Sequence, residues 1–300
     1  MNNKRLRANT LLLLTAAIWG FAFVAQRVGS QYVGAFTFNG MRFAIGSISL
    51  IPLIIYFDKR KKNESRNQSN IGVTDKKIIV SGVLVGTILY AGSTLQQVGL
   101  IYTTAGKASF ITGLYMVIVP LIGIFLGHKI GKKSWIGVGL AIIGLYLLSI
   151  NGNFGISYGD LLEVIGAVFF AVHILTIDYF SDKIEPLKLS FVQFVTCSIL
   201  SLISALIFEK VTMSGLSKAL IPILYGGFLS VGVAYTLQVV AQKNAKPSHA
   251  AIILSMESVF GAIGGALLLG ENMSNRGYIG CIFILGGILI SQIKFFPKES

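Results

Sequence analysis

Apolar runs long enough to cross a membrane alternate with short polar stretches along this chain. A helix that spans a bilayer needs about 20 mostly apolar residues, and ten segments fit that description. They are the residue ranges 9–27, 34–56, 78–99, 103–126, 134–150, 159–178, 188–208, 219–240, 248–269 and 277–294. The pattern therefore predicts an all-α polytopic membrane protein with ten transmembrane helices.

The composition agrees with this prediction. Hydrophobic residues make up 54% of the chain and charged residues 12%, whereas soluble domains carry about 25% charged residues. The net charge of +13 comes from short basic patches between apolar runs, which favours anionic lipid over nucleic acid as the partner. Cys197 and Cys281 both lie within apolar segments, so no disulfide, metal site or cofactor is expected.

The chain contains an internal repeat. Residues 105–147 align without a gap on residues 248–290, at an offset of 143, and this alignment pairs Gly127 with Gly270. A second offset, of 151 residues, relates the fronts of the two halves through further pairs: Trp19 with Phe170, and Arg42 with Gln193. A period of this length in an apolar chain is typical of internally duplicated transporters.

The repeat predicts two halves, residues 1–150 with the first five helices and residues 151–300 with the other five. Because five is an odd number, the second half enters the membrane with the opposite orientation to the first. The two repeats are therefore predicted to be inverted. That architecture places a substrate site near the membrane midplane, between halves that open to either side in turn.

Basic residues predict the orientation of the chain. With the N-terminus in the cytoplasm, nineteen of the 25 Lys and Arg residues lie in cytoplasmic segments and five lie at outer helix ends. This agrees with the positive-inside rule, so both termini are expected to be cytoplasmic, in the plasma (cell inner) membrane. The hydrophilic stretch Phe57–Lys77 is then a cytoplasmic loop, and Asn151–Asp160 is the outer linker between the halves.

Four segments resemble helices of the EamA-type transporters of the drug/metabolite transporter (DMT) superfamily. LLLLTAAIWGFAFVAQRVG, with Trp19-Gly20, is similar to the opening helix of that family, and FNGMRFAIGSISLIPL, with Arg42-Phe43, to its second helix. ASFITGLYMVIVPLIGIFLG resembles the fourth helix and SMESVFGAIGGALLLGE, which contains Glu257, the ninth. The resemblance implies a ten-helix carrier with inverted repeats, often an exporter of amino acids, metabolites or toxic compounds.

The chain departs from the pattern of this family in two helices. Many relatives have Glu-Pro where this sequence has Glu257-Ser258, and Gly-Glu where it has Gly127-His128. Pro120 offers a break in the fourth helix instead, and we treat it as a hypothetical gating position.

Two charged residues within apolar helices are the first candidates for a substrate site. An acid such as Glu257 costs about 2.5–3.5 kcal/mol on insertion scales and is by default a functional hypothesis. It would bind a substrate cation or carry a proton exchanged against substrate, and the alternative is a structural polar anchor. Arg42 either binds a carboxylate or a substrate anion, or extends to the membrane surface. The sequence does not decide whether these two residues form a salt bridge with each other.

Further candidates are polar or aromatic side chains at membrane depth: Trp19, Tyr90, Tyr115, Gln97, Gln238 and Ser258, the repeat mate of Tyr115. Aromatic faces suit flat or cationic ligands, although packing in the helix bundle explains such residues equally well. His173 would share protons with Glu257, or it is a core histidine with a satisfied hydrogen bond.

These residues predict a secondary active transporter, an exporter of small organic metabolites, amino acids or drugs that works by alternating access, with proton coupling as an option. The direction of transport is implied by the resemblance alone. A channel and a non-transporting receptor share the composition and are the alternatives. A membrane-embedded enzyme is less favoured, because it needs paired acids, a metal set or a Ser/His pair, and Glu257 has no second mid-helix acid near it in sequence.

Overall fold

A computed structural model describes residues 3–64, 75–125, 127, 132–149, 158–272 and 274–292, and the regular structure within these ranges is helical. The α-helices are α1 (Asn3–Gly29), α2 (Ala35–Glu64), α3 (Asp75–Gly99), α4 (Ala105–Thr112), α5 (Tyr115–Phe125), α6 (Lys132–Ser149), α7 (Tyr158–Ser181), α8 (Pro186–Phe208), α9 (Met213–Lys218), α10 (Leu220–Leu224), α11 (Thr236–Gln242), α12 (Pro247–Leu254), α13 (Glu257–Leu269) and α14 (Asn275–Gln292). A π-helix, Tyr225–Tyr235, connects α10 to α11.

Eight helical stretches in the described part of the chain are long and apolar enough to cross a membrane. They are Lys4–Gly29, Ala35–Arg60, Lys76–Gly99, Ala105–Phe125, Tyr158–Ser181, Pro186–Phe208, Leu220–Gln242 and Pro247–Leu269. These stretches match eight of the ten predicted helices. α6 and α14 occupy the positions of the fifth and tenth predicted helices and pack against each other. The chain is thus a helical, integral membrane protein.

The hydrophilic stretch 57–77 is partly helical, which corrects the prediction of a loop. α2 continues to Glu64 and α3 already begins at Asp75, while residues 65–74 lie outside the described residues. Lys, Arg and Glu are good helix formers, and Asp58 also forms an ion pair with Lys188 of α8 at 3.0 Å. Most of the predicted outer linker, residues 151–157, lies outside the described residues as well, and Asp160 belongs to α7.

The fourth and ninth predicted helices are each broken into two. The span formed by α4 and α5 is interrupted at Gly113-Leu114, and the span formed by α12 and α13 at Ser255-Met256. At both breaks a backbone N–H bonds to the carbonyl three residues back, at 3.0 Å in the first span and 3.1 Å in the second, which tightens the chain locally. With the repeat offset of 143, the two breaks fall within one residue of each other. We call these two stretches the broken spans.

Pro120 lies inside α5 rather than at the break. The helix break predicted at Pro120 is therefore wrong in position. The chain breaks instead at Gly113, where backbone N–H groups bond to carbonyl groups three residues back rather than four. A gating role for Pro120 stays a prediction. The repeat mates Gly127 and Gly270, which follow the two broken spans, both adopt positive φ, 79° and 66°. This backbone conformation favours glycine.

The eighth predicted helix, 219–240, is observed as α10, the π-helix and α11. Such long π-helices are rare, and π-type turns are frequent at functional sites. Side chains of α1 hold this one in place: Trp19 Nε1 donates to Ser230 O at 3.1 Å, and Thr15 Oγ1 donates to Ala234 O at 3.2 Å. The irregular backbone of this span is thereby fixed against α1.

A glycine lets α1 cross α13 at close range. A Cβ atom built at Gly20 would lie 2.3 Å from Phe260 Cβ and 2.8 Å from Glu257 O, which is closer than atoms can pack. The crossing therefore requires glycine at this position, and it brings the neighbouring Trp19 and Glu257 into the same part of the bundle interior.

We expect Gly20→Ala to destabilise the protein, because the added methyl group has to push α1 away from α13. Overpacking of this kind costs about 1–3 kcal/mol, and it is measured as a lower Tm in detergent. Gly139→Ala in α6 is the matched control, because a Cβ there has nothing within 4 Å. Equal Tm values for the two variants would contradict the close crossing of α1 and α13.

Candidate functional site

The bundle interior contains a cavity where the breaks of the two broken spans meet α1, α2, α7 and the π-helix. Its volume is about 30 Å³, which is room for about two water molecules and is well below the 300–1,000 Å³ typical of small-molecule sites. The cavity is therefore narrow, and it must widen to hold a metabolite. The lining residues are Trp19, Ala22, Phe23, Gln26, Arg42, Gln96, Thr112, Tyr115, Phe170, His173, Ile174, Ser230, Tyr235, Gln238 and Glu257.

Glu257 is the first residue of α13, directly after the break, and only 3% of it is exposed. The amino end of a helix carries a partial positive charge, which favours a carboxylate at this position. Its Oε1 atom makes no well-formed hydrogen bond, although the buried hydroxyl of Tyr115, the first residue of α5, lies close enough to the Glu257 carboxyl group to interact with it. The two breaks thus bring a carboxyl group and a phenol hydroxyl together in the wall of one cavity.

Arg42 is 2% exposed, so the alternative in which it extends to the membrane surface is wrong. Its guanidinium carbon lies 5.1 Å from the ring centre of Phe43 and 5.7 Å from that of Phe38. Its aliphatic part packs so closely on the π-helix that a Cβ built at Gly226 would lie 3.3 Å from it. This packing holds the side chain in the interior.

The guanidinium of Arg42 is not fully satisfied, because its Nε atom has no hydrogen-bond partner. Among the described residues, the ion pairs do not include one between Arg42 and Glu257. The salt bridge considered from the sequence is therefore not formed. The cavity therefore holds a guanidinium and a carboxyl group that each keep a polar atom without a partner.

Aromatic rings form one wall of the cavity around Tyr235. Its ring centre lies 4.5 Å from that of Trp19 and 6.0 Å from that of His173. His173 Nε2 lies 3.0 Å from Gln193 Oε1, within hydrogen-bond distance. This satisfied hydrogen bond matches the core-histidine alternative, although the His173 ring also lines the cavity.

The structure brings six of the predicted site residues together in this cavity: Glu257, Arg42, Trp19, Tyr115, His173 and Gln238. Gln238 adds another unsatisfied atom, since its Oε1 is buried without a partner. Whether these six residues bind a substrate stays a prediction.

Three other predicted residues do not line the cavity and instead connect helices. The Tyr90 hydroxyl lies 2.6 Å from Ser204 Oγ, which joins α3 to α8. Gln97 Nε2 donates to the hydroxyl of Ser30, directly after α1, at 2.8 Å. Ser258 Oγ donates to Ser109 O at 2.8 Å, which joins α13 to α4. The hydrogen bonds of Tyr90 and Ser258 explain their polarity at membrane depth without a ligand, whereas Gln97 also keeps a buried Oε1 atom without a partner.

Several polar residues of the site were missed in the sequence. Tyr235, Thr112 and Ser230 line the cavity, yet nothing in their sequence surroundings marks them. Glu163, with 0% exposure, is a buried acid close to the cavity. Glu163 is far from Glu257 in the sequence, so proximity along the chain does not relate the two acids. Its position as a carboxylate inside the apolar segment 159–178 does mark it in the sequence. Within the described ranges, no three His, Cys, Asp or Glu side chains form a group that could hold a metal ion.

Carboxylates fasten the bundle at the end where α1 finishes, which we call the far end. Glu209 accepts hydrogen bonds from two N–H groups in the first turn of α2, both at 2.8 Å. Glu271 accepts from the first two N–H groups of α4, at 3.0 and 3.1 Å. Arg27 Nη1 donates to Leu100 O at 2.7 Å. These contacts tie helix ends together and close the far end of the bundle.

The sequence profile described as the EamA-like transporter family matches the chain twice, at residues 6–150 and 157–292. An uncharacterized transporter of Archaeoglobus fulgidus is 32% identical over 293 residues, which cover 97% of this chain and 87% of that protein. An Escherichia coli protein named "Probable amino-acid metabolite efflux pump" is 23% identical, with 94% and 93% covered. A crystal structure with 17% identity superposes with a TM-score of 0.75 over 95% of this chain and 96% of that one, which shows that the fold is shared.

The buried Glu257 and the partly exposed Glu271 are expected to respond in opposite ways when the charge is removed. We expect Glu257→Gln to leave the Tm in detergent unchanged or higher, because replacing a buried charge without a full set of partners relieves its desolvation. Glu271→Gln is the comparison and lowers the Tm, since a lost helix cap costs about 0.5–2 kcal/mol. An equal loss in both variants would make Glu257 a structural anchor.

Proposed function

Because the chain belongs to the EamA-like transporter family, we propose that it is a secondary transporter that exports small zwitterionic metabolites, amino acids among them, by alternating access. The family and the names of the relatives indicate a membrane transporter rather than an enzyme. The single observation that carries the substrate class is the presence of Arg42 and Glu257, each with an unpartnered polar atom, in one cavity.

A zwitterion satisfies both charges of this cavity at once. A substrate carboxylate pairs with the Arg42 guanidinium, for which bidentate binding is the strong arrangement, and a substrate ammonium group pairs with Glu257. A simple anion or a simple cation leaves the other charge buried without a partner, which is costly. The aromatic wall around Trp19 and Tyr235 then contacts the apolar part of the substrate.

Contacts between the broken spans support halves of opposite orientation. α4 packs against α13, and α5 packs against α12. Because α4 is the repeat mate of α12, two spans running in the same direction would bring α4 against α12 instead. Other helices of the first half also pack on their repeat mates in the second half: α2 packs on α8, and α6 packs on α14. We therefore retain ten helices in two inverted repeats, residues 1–150 and 151–300, as part of this proposal.

The narrow cavity and the fastened far end support a carrier rather than an open channel. A substrate cannot leave past the carboxylate-capped ends of α2 and α4 until the two halves move relative to each other. In this scheme the basic end, where α1 begins and Lys4, Arg7 and Lys243 surround a surface groove, faces the cytoplasm of the cell. Glu257 pairs with the substrate ammonium group or holds a proton, and exchanging one for the other couples export to proton entry.

Counterflow of labelled L-amino acids into proteoliposomes tests this function. We expect saturable counterflow. A proton gradient directed out of the liposomes is expected to enhance uptake of the label, because the proposed exchange moves the proton in the direction opposite to the substrate. Arg42→Gln loses both activities, because the substrate carboxylate has no partner, and Glu257→Gln loses the enhancement by the pH gradient. Tyr90→Phe is the matched control, since the Tyr90 hydroxyl lies outside the cavity and bonds to Ser204.

Three outcomes would contradict parts of the proposal. Flux that does not saturate indicates a channel, and binding without flux indicates a receptor. Flux of Glu257→Gln that depends on pH as in the unmodified protein removes Glu257 from coupling.

A further inference from the structure

Glu163 of α7 is a second buried acid that the proposed transport site does not use. Its exposure is 0%. Oε2 accepts a hydrogen bond from Thr112 Oγ1 at 3.0 Å, whereas Oε1 is buried without a partner. The other carboxylates near the far end differ, because Glu209 and Glu271 receive backbone N–H groups on both oxygens. Glu163 therefore lacks the full set of donors that a structural carboxylate obtains.

One side of Glu163 is connected to the central cavity. The Thr112 hydroxyl that donates to Glu163 accepts in turn from Gln96 Nε2 at 3.2 Å. Thr112 and Gln96 both line the cavity that contains Glu257. A short row of polar groups thus leads from the cavity wall to the Glu163 carboxylate.

The other side of Glu163 leads towards the far end of the bundle. Asp160 lies one turn earlier on α7, at a spacing that places Cβ atoms about 5–6 Å apart. Asp160 forms an ion pair with Lys107 at 2.6 Å, and the Lys107 side chain is 33% exposed. A Cβ atom built at Gly99 of α3 would lie 2.9 Å from Glu163 Oε1, so glycine at that position leaves room beside the unpartnered oxygen.

The charges around Glu163 are few. Asp160 of α7 is its acidic neighbour, Lys107 of α4 is held by Asp160, and Glu257 of α13 lies across the cavity within range of charge repulsion. α3 contributes Gly99 and Gln96, which do not titrate. It is unfavourable for two acids in one apolar region to be ionised at the same time. A proton on Glu163 therefore favours release of a proton from Glu257, and the reverse.

We propose that Glu163 is a second proton-binding site, which exchanges protons between water at the far end and the central cavity. The proton comes from water on the Asp160 side and forms an O–H bond at Oε1 of Glu163. Rotation of the carboxyl group carries it to the Thr112 side, where the O–H bond breaks and the proton passes through the cavity to the carboxylate of Glu257, so that Glu163 is left ionised and Glu257 protonated. The Thr112 hydroxyl donates to Glu163 when that residue is ionised, and it thereby positions the carboxylate beside the cavity wall. This role rests on the proposed transport function of the cavity, because it supplies the proton that replaces the substrate at Glu257.

Infrared spectroscopy of the protein in liposomes, without substrate, tests the proton site by itself. Titration of the medium is expected to change a carboxylic acid C=O band that Glu163→Gln removes and Glu163→Asp shifts. Glu271→Gln is the matched control, because its carboxylate is held by backbone N–H groups and its loss leaves the band in place. A band that is unchanged in Glu163→Gln, or that does not respond to pH, overturns the proposal.

Transport measurements then test the connection to the cavity, with labelled L-amino acids as the probe. Thr112→Val removes the hydroxyl between Glu163 and the cavity, and we expect its counterflow to be equal with and without the pH gradient. Because Thr112 lines the cavity, each variant is compared with its own counterflow in the absence of a gradient. Thr112→Ser retains the hydroxyl and restores the enhancement. Equal enhancement in the Val and Ser variants overturns the relay. Failure of counterflow in the unmodified protein contradicts the proposed function instead, and the infrared result on Glu163 still decides whether the proton site exists.

Discussion

The structure depends on the burial of opposite charges without matching partners inside an apolar bundle. Lipid offers no water to a charged group, and an intramembrane charge persists only where protein, a cavity or a ligand compensates it. Arg42 is enclosed by aromatic rings, and Glu257 stands at the start of a helix that favours its charge. Both compensations are partial, since each residue keeps an unpartnered atom. In the function that we propose, the substrate supplies the partners that these two atoms lack.

The backbone makes room for these groups in ways that continuous helices do not. Both broken spans change their hydrogen-bond pattern at the level of the cavity, so Tyr115 and Glu257 each begin a new helical segment there. α1 reaches the same level only because Gly20 has no side chain. The π-helix opposite offers carbonyl groups that Trp19 and Thr15 bind. Irregular backbone at membrane depth is tolerated where protein buries it, and here it surrounds the cavity.

Periodic features of the sequence predicted the fold, whereas the site depended on tertiary packing. Apolar run lengths placed the spans, and the repeat paired Gly127 with Gly270, which share a positive φ. The burial of Arg42 could not be predicted from the sequence, because a long side chain near a helix end extends to the membrane surface unless neighbouring helices block it. Tyr90 and Gln97 looked equivalent to Tyr115 and Gln238, and only the facing helices decide which of them meet the cavity. Polarity along the chain shows which residues need a partner but not which partner the fold supplies.

The charges of the site are divided between the halves, and this division links binding to movement. Arg42 belongs to the first half and its repeat mate Gln193 is neutral, while Glu257 belongs to the second half and its counterpart, Leu114, is apolar. In the transport cycle that we propose, a zwitterion bound to both residues bridges the two halves and favours the state in which they approach each other. In the same proposal, Arg42 and Glu257 lose this compensation once the zwitterion leaves, and a proton on Glu257 removes one of the two charges. The proposed cycle thus makes the unequal charge of the two halves the reason why the empty and the loaded carrier prefer different arrangements.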